Sequence, residues 1–234
     1  MPRLLYVQAS PRDSTSTSSD AAGAFLKALG AHRLDVTIDP LDLWRAELPE
    51  FSGAMIASKY AALAGRSMDS GEAAAWRRIT AMVDRLKSAD GVVIATPMWN
   101  FGIPYKLKHW IDLITQPSLT FSFNPETGYA PLLLSRPTLV ILSSAGDYAT
   151  GTSRGRPDLA TPYLKAALGF IGLSDVTFIP VGPTVGPADR IEAARDQARV
   201  RLSSLAGSFM MQRQSPERLV NPQHTGDTYG RSVA

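Results

Sequence analysis

Two uninterrupted apolar runs, at residues 92–94 and 139–142, constrain the fold of this chain more than any other feature. Short continuous runs of Val, Ile and Leu are typical of parallel strands that helices cover on both faces. A third apolar stretch occupies residues 4–9, and residues 33–39 and 176–181 partly alternate apolar and polar side chains. The sequence therefore predicts five strands in an α/β fold with a buried parallel sheet.

Segments whose apolar residues recur at helical spacing lie between the predicted strands. The predicted element order is therefore β-α-β-α-α-β-α-β-α-β-α. In the second strand Leu34, Val36 and Ile38 alternate with polar residues, as in a half-buried strand at a sheet edge. A doubly wound sheet with its second strand at the edge has the flavodoxin-like order 2-1-3-4-5. We therefore predict one five-stranded domain over residues 1–207. A polar C-terminal tail is expected over residues 208–234.

An aromatic insertion lies between the third and fourth predicted strands, with turn signals at 124–125 and 127–128. We expect a short hairpin or lid over the carboxyl edge of the sheet. Its rings, Phe121, Phe123 and Tyr129, are then candidates for a substrate or partner surface. The alternative is that these rings pack back on the sheet of their own subunit.

Composition excludes several classes of function. The 234 residues contain no Cys and only three widely spaced His, so no metal site, disulfide or Cys nucleophile is predicted. The net charge is +3, with basic and acidic residues interleaved, which does not indicate a nucleic-acid partner. There is no apolar stretch of about 18 residues and no signal-peptide core, so we expect a cytoplasmic protein without a membrane partner.

The loop at residues 96–104 follows a predicted buried strand, where parallel sheets bind their ligands. Pro97 and Pro104 restrict its backbone, and Pro104 suits the first turn of the next helix. A stiff loop with aromatic side chains and one Asn can recognise a flat heteroaromatic ring, which makes candidates of Pro97, Met98, Trp99, Asn100 and Phe101. The alternative is an ordinary connection in which Trp99 and Phe101 cap the core.

Two more loops follow strands that should be neighbours at the same edge. Ser10 and the Ser/Thr run at 14–19 precede a helix, whose N-terminal amides can hold a phosphate; the alternative is simple N-capping by Ser16 or Ser18. The small residues Ser143, Ser144, Ala145 and Gly146 would let backbone approach a planar ligand. Together the loops suit a mononucleotide with a large ring, and FMN fits better than a dinucleotide. No catalytic acid, base or nucleophile can be placed.

These motifs make the chain similar to the FMN-dependent NADH-azoreductase family, also described as NADH:quinone oxidoreductases of flavodoxin-like fold. The resemblance spans residues 4–205. It rests on S-P-R at 10–12, S-T-S at 16–18, P-M-W-N-F-G-I-P at 97–104, T-P-Y-L at 161–164 and L-G-F-I-G at 168–172.

The resemblance implies that Ser10, Ser16, Thr17 and Ser18 hold the FMN phosphate. It places Met98, Trp99, Asn100 and Phe101 along the isoalloxazine ring, and Phe123 matches an aromatic of the family's hairpin. The family's third loop reads S-R-G-G, whereas this chain has S-S-A-G at 143–146, so contacts at the ring edge differ. The family also implies a homodimer with one FMN per subunit near the interface.

The implied activity is the transfer of two electrons from NADH or NADPH to a quinone, azo or nitro compound. Donor and acceptor would occupy the same face of the flavin in turn, in a ping-pong mechanism, with the cofactor supplying the chemistry. Two alternatives remain open at this point. One is a non-enzymatic FMN-binding electron carrier or interaction module; the other is a flavin reductase that uses FMN as a substrate.

Overall fold

The computed structural model describes residues 1–210 and contains one parallel sheet flanked by helices. The elements in chain order are β1 (Arg3–Gln8), α1 (Thr17–His32), β2 (Thr37–Asp42), α2 (Gly53–Ala64), α3 (Ser70–Lys87), β3 (Gly91–Pro97), α4 (Tyr105–Ile114), β4 (Phe121–Asn124), β5 (Gly128–Pro131), β6 (Thr138–Ser143), β7 (Thr152–Ser153), β8 (Arg156–Pro157), α5 (Ala160–Ile171), β9 (Val176–Val181) and α6 (Ala188–Ala206).

The main sheet has the order β2-β1-β3-β6-β9, and every neighbouring pair is parallel. This confirms the predicted five-stranded sheet of order 2-1-3-4-5. The two apolar runs form its centre, with Val93 opposite Leu139 and Ile94 opposite Val140. All four side chains are fully buried, because helices cover both faces of the sheet.

The two faces carry separate hydrophobic cores. One face packs against α1 and α6, with Phe25, Val93 and Leu202 among the buried residues. The opposite face packs against α3, α4 and α5, with Ile79, Trp110 and Leu164 fully or almost fully buried. Alternate residues of each central strand therefore point into different cores, which explains why these strands are apolar throughout.

The predicted start of the second strand is wrong. The second strand begins at Thr37 rather than Arg33, and Leu34 is 93% exposed. Arg33 instead ends α1, since its N–H donates to the carbonyl of Leu29 (2.8 Å), and the chain turns before pairing can start. Helix α5 begins at Ala160, where Asp158 Oδ1 accepts hydrogen bonds from the amides of Ala160 and Thr161 (both 2.9 Å).

The aromatic insertion forms the expected hairpin from β4 and β5, closed by Asn124 Oδ1, which accepts the amides of Glu126 and Thr127. Its position is not the expected one. The Leu133 amide donates to the carbonyl of Ile171 (3.2 Å), in the last turn of α5. Because α5 leads into the parallel strand β9, that turn lies at the amino edge of the sheet. The expectation that the hairpin covers the carboxyl edge of its own sheet is therefore wrong.

The chain after α6 returns to the core. Phe209 packs edge-on against Phe25, with ring centroids 5.1 Å apart, and the side chain of Met210 lies against Gly91. The rest of the predicted tail, residues 211–234, lies outside the described residues. Within residues 1–210, no helix is both long and apolar enough to cross a membrane.

Candidate functional site

Three loops meet at the carboxyl edge of the sheet, because β1, β3 and β6 are adjacent and parallel. Backbone hydrogen bonds tie the first residues of two of these loops to the neighbouring strand. The Ala9 amide donates to the carbonyl of Ala95 (2.9 Å), and the Met98 amide donates to the carbonyl of Ser143 (2.7 Å). We call them the first loop (9–16), the ring loop (98–104) and the third loop (144–151). Their predicted convergence is present in the structure.

The first loop ends in a helix N-terminus rich in hydroxyl groups. Ser16 caps α1, since its Oγ accepts the amide of Ser19 (3.2 Å), and Ser18 Oγ lies 3.3 Å from Ser16 Oγ. Ser10 is buried and its Oγ accepts the amide of Arg12 (3.3 Å), while Thr17 is half-buried. The first amides of a helix have no acceptor within the helix, and the helix dipole favours an anion there. The arrangement therefore fits a phosphate as well as a cap.

Two carboxylates near this helix end are paired with arginines. Asp13 lies 3.0 Å from Arg45, and Asp20 lies 3.6 Å from Arg199. All four side chains are well exposed, so the pairs contribute little to stability. The two arginines nevertheless offset the negative charge of the carboxylates beside the first turn of α1, which makes the position more favourable for an anion.

The ring loop is a tight two-residue hairpin. Trp99 and Gly102 exchange two backbone hydrogen bonds of 2.9 Å each, and the central residues Asn100 and Phe101 have φ of 48° and 70°. Two consecutive positive φ angles are characteristic of a type I′ turn. Asn tolerates this conformation, whereas for other residues it costs about 1–2 kcal/mol. Strained backbone of this kind clusters at active sites and ligand-binding loops.

Side chains at the tip of the ring loop point away from the core. Phe101 is 41% exposed, Asn100 is exposed, and Met98 and Pro97 are half-buried. The carbonyl of Phe101 accepts the Leu159 amide (2.9 Å), which fixes the loop against the segment before α5. Phe101 is therefore not a core residue. Its ring is held at the carboxyl edge by a constrained backbone.

The third loop is closely packed. Ser143 and Ser144 are buried, and Ser144 Oγ donates to the carbonyl of Gly146 (2.8 Å). A Cβ atom on Gly146 would collide with Ser153 of the β7–β8 hairpin, so that hairpin packs directly on the loop. Ala145, by contrast, is exposed at the same edge. The third loop is therefore supported by close packing and presents small side chains at the sheet edge, although it lacks an arginine.

The hairpin aromatics do not join these loops within one chain. Phe121 and Tyr129 lie 4.9 and 5.5 Å from Phe170, and Phe123 lies 4.9 Å from Tyr129 (ring centroids). Phe170 belongs to the end of α5, at the opposite edge of the sheet. Phe123 and Tyr129 remain 52% and 63% exposed, so the cluster presents an apolar surface to the outside.

Comparison with known proteins agrees with this geometry. A family model described as having a flavodoxin-like fold matches residues 2–205. One relative, "FMN-dependent NADH:quinone oxidoreductase 1" of Bradyrhizobium diazoefficiens, is 51% identical over 209 residues, which cover 89% of this chain and all of the relative. The chain belongs to this flavodoxin-like family.

Other known proteins are similar over most of the chain. An FMN-dependent NADH:quinone oxidoreductase of Desulfotalea psychrophila is 39% identical, over 88% of this chain and 97% of the relative. A crystal structure of an azoreductase from Bacillus anthracis (Sterne) has a TM-score of 0.81 and 25% identity, covering 89% of this chain and all of that one. An FMN-dependent NADH-azoreductase from B. anthracis (Ames Ancestor), solved in complex with FMN, has a TM-score of 0.76 and 27% identity, covering 88% of this chain and all of that one.

Two aromatic residues beside the site were missed in the sequence. Trp44 follows β2, and its ring centroid lies 5.9 Å from that of Trp99 and 5.3 Å from that of Tyr105. The predicted strand order contained the signal that could have found them, because the flavodoxin-like order places the carboxyl end of β2 next to the first loop. The motifs in the sequence mark only the loops after the first, third and fourth strands of the sheet.

Burial affects two tyrosines on elements that border the site, β1 and α5. Burial raises the pKa of Tyr6 to about 12, so its hydroxyl stays protonated at neutral pH. Burial also raises the pKa of Tyr163, on α5, to about 12. Across the described part of the chain, no group of three or more His, Asp or Glu side chains could hold a metal ion. A flavodoxin-like site of this composition is suited to binding and orienting a ligand.

Proposed function

We propose that this protein is an FMN-dependent oxidoreductase that passes two electrons from NADH or NADPH to quinones, azo compounds or similar aromatic acceptors. The observation that carries the proposal is the convergence of a hydroxyl-rich helix N-terminus, a strained aromatic loop and a small-residue loop at one sheet edge. The flavodoxin-like relatives named above carry the same activity in their names, which supports it.

The residues present fit FMN at both ends of the molecule. In the proposed complex the phosphate lies at the start of α1, where Ser10, Ser16 and Thr17 offer hydroxyl or amide groups and Ser18 orients Ser16. The isoalloxazine lies along Pro97, Met98, Trp99 and Phe101, with the Asn100 amide available to its polar edge. The remaining contacts to the edge of the ring come from backbone and hydroxyl groups of Ser143, Ser144, Ala145 and Gly146. The wider family has an arginine at this place.

Bound FMN supplies the electron-transfer chemistry, and the chain binds and orients it. Flat aromatic donors and acceptors fit beside the exposed ring of Phe101. The three loops lie at one edge of the sheet, so we propose that donor and acceptor bind there in turn, in a ping-pong mechanism. No side chain is assigned as a general acid or base. The chain has no Cys, which agrees with a reducing compartment, and a cytoplasmic location is part of the proposal.

A steady-state assay with FMN, NADH and a small quinone tests the proposed activity. Quinone-dependent NADH oxidation, with FMN retained through gel filtration, is the expected result. Parallel lines in double-reciprocal plots would agree with alternate binding of donor and acceptor. Bound FMN without turnover would favour an electron carrier, and FMN lost on the column but reduced in the assay would favour a flavin reductase.

We also propose that the working unit is a homodimer in which the β4–β5 hairpin of one subunit borders the FMN site of its partner. The hairpin presents exposed aromatic rings at the amino edge, far from the loops of its own chain. Exposed aromatic patches commonly mark partner or ligand surfaces. If the hairpin of one subunit lies against its partner, these rings can reach an acceptor bound at the partner's FMN site.

Phe123→Ala tests the homodimer. The variant should raise KM for bulky aromatic acceptors more than for small ones, while FMN stays bound. Tyr60→Ala, which removes an exposed ring from α2, is the matched control and should change neither value. An active monomer, or equal KM changes for all acceptor sizes, would contradict the arrangement.

A further inference from the structure

The turn after β2 connects two of the three loops. Trp44 Nε1 donates a hydrogen bond to the carbonyl of Ala9 (3.0 Å), at the start of the first loop. The same indole packs against Trp99 of the ring loop at 5.9 Å and edge-on against Tyr105 at 5.3 Å. One half-buried side chain therefore contacts both the phosphate end and the ring end of the candidate site.

Neighbouring residues hold Trp44 in place. The Trp44 amide donates to Asp42 Oδ1 (2.8 Å), and Asp42 Oδ2 lies 3.4 Å from Arg45 Nε. Arg45 in turn pairs with Asp13 of the first loop at 3.0 Å. The Arg45–Asp13 pair is exposed and weak by itself. With the indole hydrogen bond, it gives the turn two separate attachments to the first loop.

We propose that Trp44 is a positioning residue that sets the spacing between the phosphate end and the ring end of the FMN site. This inference rests on the proposed function. FMN carries its phosphate and its ring on one connected molecule, so both ends bind at full strength only if the two loops stand at the matching distance. Trp44 fixes that distance through a hydrogen bond to one loop and ring packing against the other.

Riboflavin provides the comparison that isolates this role. It has the same ring but no phosphate, so it depends on the ring loop and not on the spacing. A two-ended ligand gains affinity over a one-ended ligand only when geometry allows both ends to engage together. Loss of Trp44 should therefore lower the affinity for FMN more than the affinity for riboflavin.

The test measures dissociation constants of FMN and riboflavin, by quenching of flavin fluorescence, for the wild type and for Trp44→Ala and Trp44→Phe. In Trp44→Ala the preference for FMN over riboflavin should fall about tenfold, equivalent to about 1.4 kcal/mol. Trp44→Phe keeps a ring against Trp99 but loses the Nε1 donor, and its preference should fall by a smaller factor. Trp76→Ala, a half-buried Trp on α3, is the matched control and should keep the wild-type ratio.

The outcomes separate this inference from the function on which it rests. Wild-type protein that binds neither flavin would overturn the proposed function, and this inference with it. Wild-type protein that binds FMN, with both affinities lowered equally in the Trp44 variants, would overturn the positioning role alone. If Trp44→Ala does not fold, Trp44→Phe decides: an unchanged ratio overturns the role, and a reduced ratio supports it.

Discussion

A single methyl group at Gly182 should disturb flavin binding from outside the site. Gly182 follows β9 and packs behind the third loop. A Cβ atom there would lie 2.6 Å from the carbonyl oxygen of Gly146 and 2.7 Å from Ser144 Oγ, whereas ordinary contact begins at 3.4 Å. The loop must therefore move by several tenths of an ångström to admit alanine. Overpacking of this kind costs about 1–3 kcal/mol.

This displacement should reach the ring loop, because the Met98 amide is bonded to the carbonyl of Ser143, directly before the third loop. We expect Gly182→Ala to lower the free energy of unfolding of the FMN-free protein by about 2 kcal/mol, within the range for overpacked sites. We also expect FMN binding to weaken about tenfold, which corresponds to about 1.4 kcal/mol. Urea unfolding and an FMN titration measure the two effects separately.

Two other glycines provide controls. Gly172→Ala should also destabilise the fold, because φ is 109° and a Cβ would collide with the carbonyl of Leu133; that site lies at the amino edge. Gly169 lies within α5 with open space around it, so Gly169→Ala should raise stability by about 0.5–1 kcal/mol. Neither control should change the FMN affinity of folded protein. A destabilised Gly182→Ala with unchanged FMN affinity would refute the assignment of the third loop to the site.

Two further predictions concern the ring loop and the sheet edge. Asn100→Leu should weaken FMN binding or shift its reduction potential, because it removes the amide that we propose contacts the flavin edge; unchanged values by titration and potentiometry would remove Asn100 from the site. Hydrogen bonds from Arg85 and then Arg3 lower the pKa of Asp39, so the stability that this carboxylate contributes is present above its unfolded-state pKa and lost as pH falls through its folded-state pKa. Asp39→Asn should therefore lower stability by about 1–2 kcal/mol at neutral pH, after allowance for the partly exposed arginines, and the difference from wild type should vanish in acid; a difference independent of pH in urea unfolding would contradict this.

The sheet could be predicted because burial on both faces leaves a strong signal in the sequence. The runs at 92–94 and 139–142 have no polar residue, and the structure places both at the centre of the sheet. The second strand was harder, because an edge strand is only partly buried. Its predicted alternation included Leu34, which proved to lie in the solvent-exposed turn after α1.

The candidate site was predictable in outline, because motifs that follow adjacent parallel strands must meet at one edge. The contacts that hold these loops in place could not be predicted. The φ angles of Asn100 and Phe101 depend on hydrogen bonds between Trp99 and Gly102. The role of Trp44 depends on the edge strand delivering it beside Ala9. The hairpin was misplaced because local turn signals do not reveal that its base is bonded to the end of α5.

Binding of FMN to the purified protein tests the central claim most directly. Titration of flavin-free protein with FMN, followed by calorimetry and by the absorbance spectrum, should show one FMN per chain and a shifted, quenched flavin. Ser16→Ala should weaken binding of FMN but leave that of riboflavin nearly unchanged, since Ser16 lies at the proposed phosphate end. Protein that neither contains FMN after purification nor binds it in the titration would contradict the account.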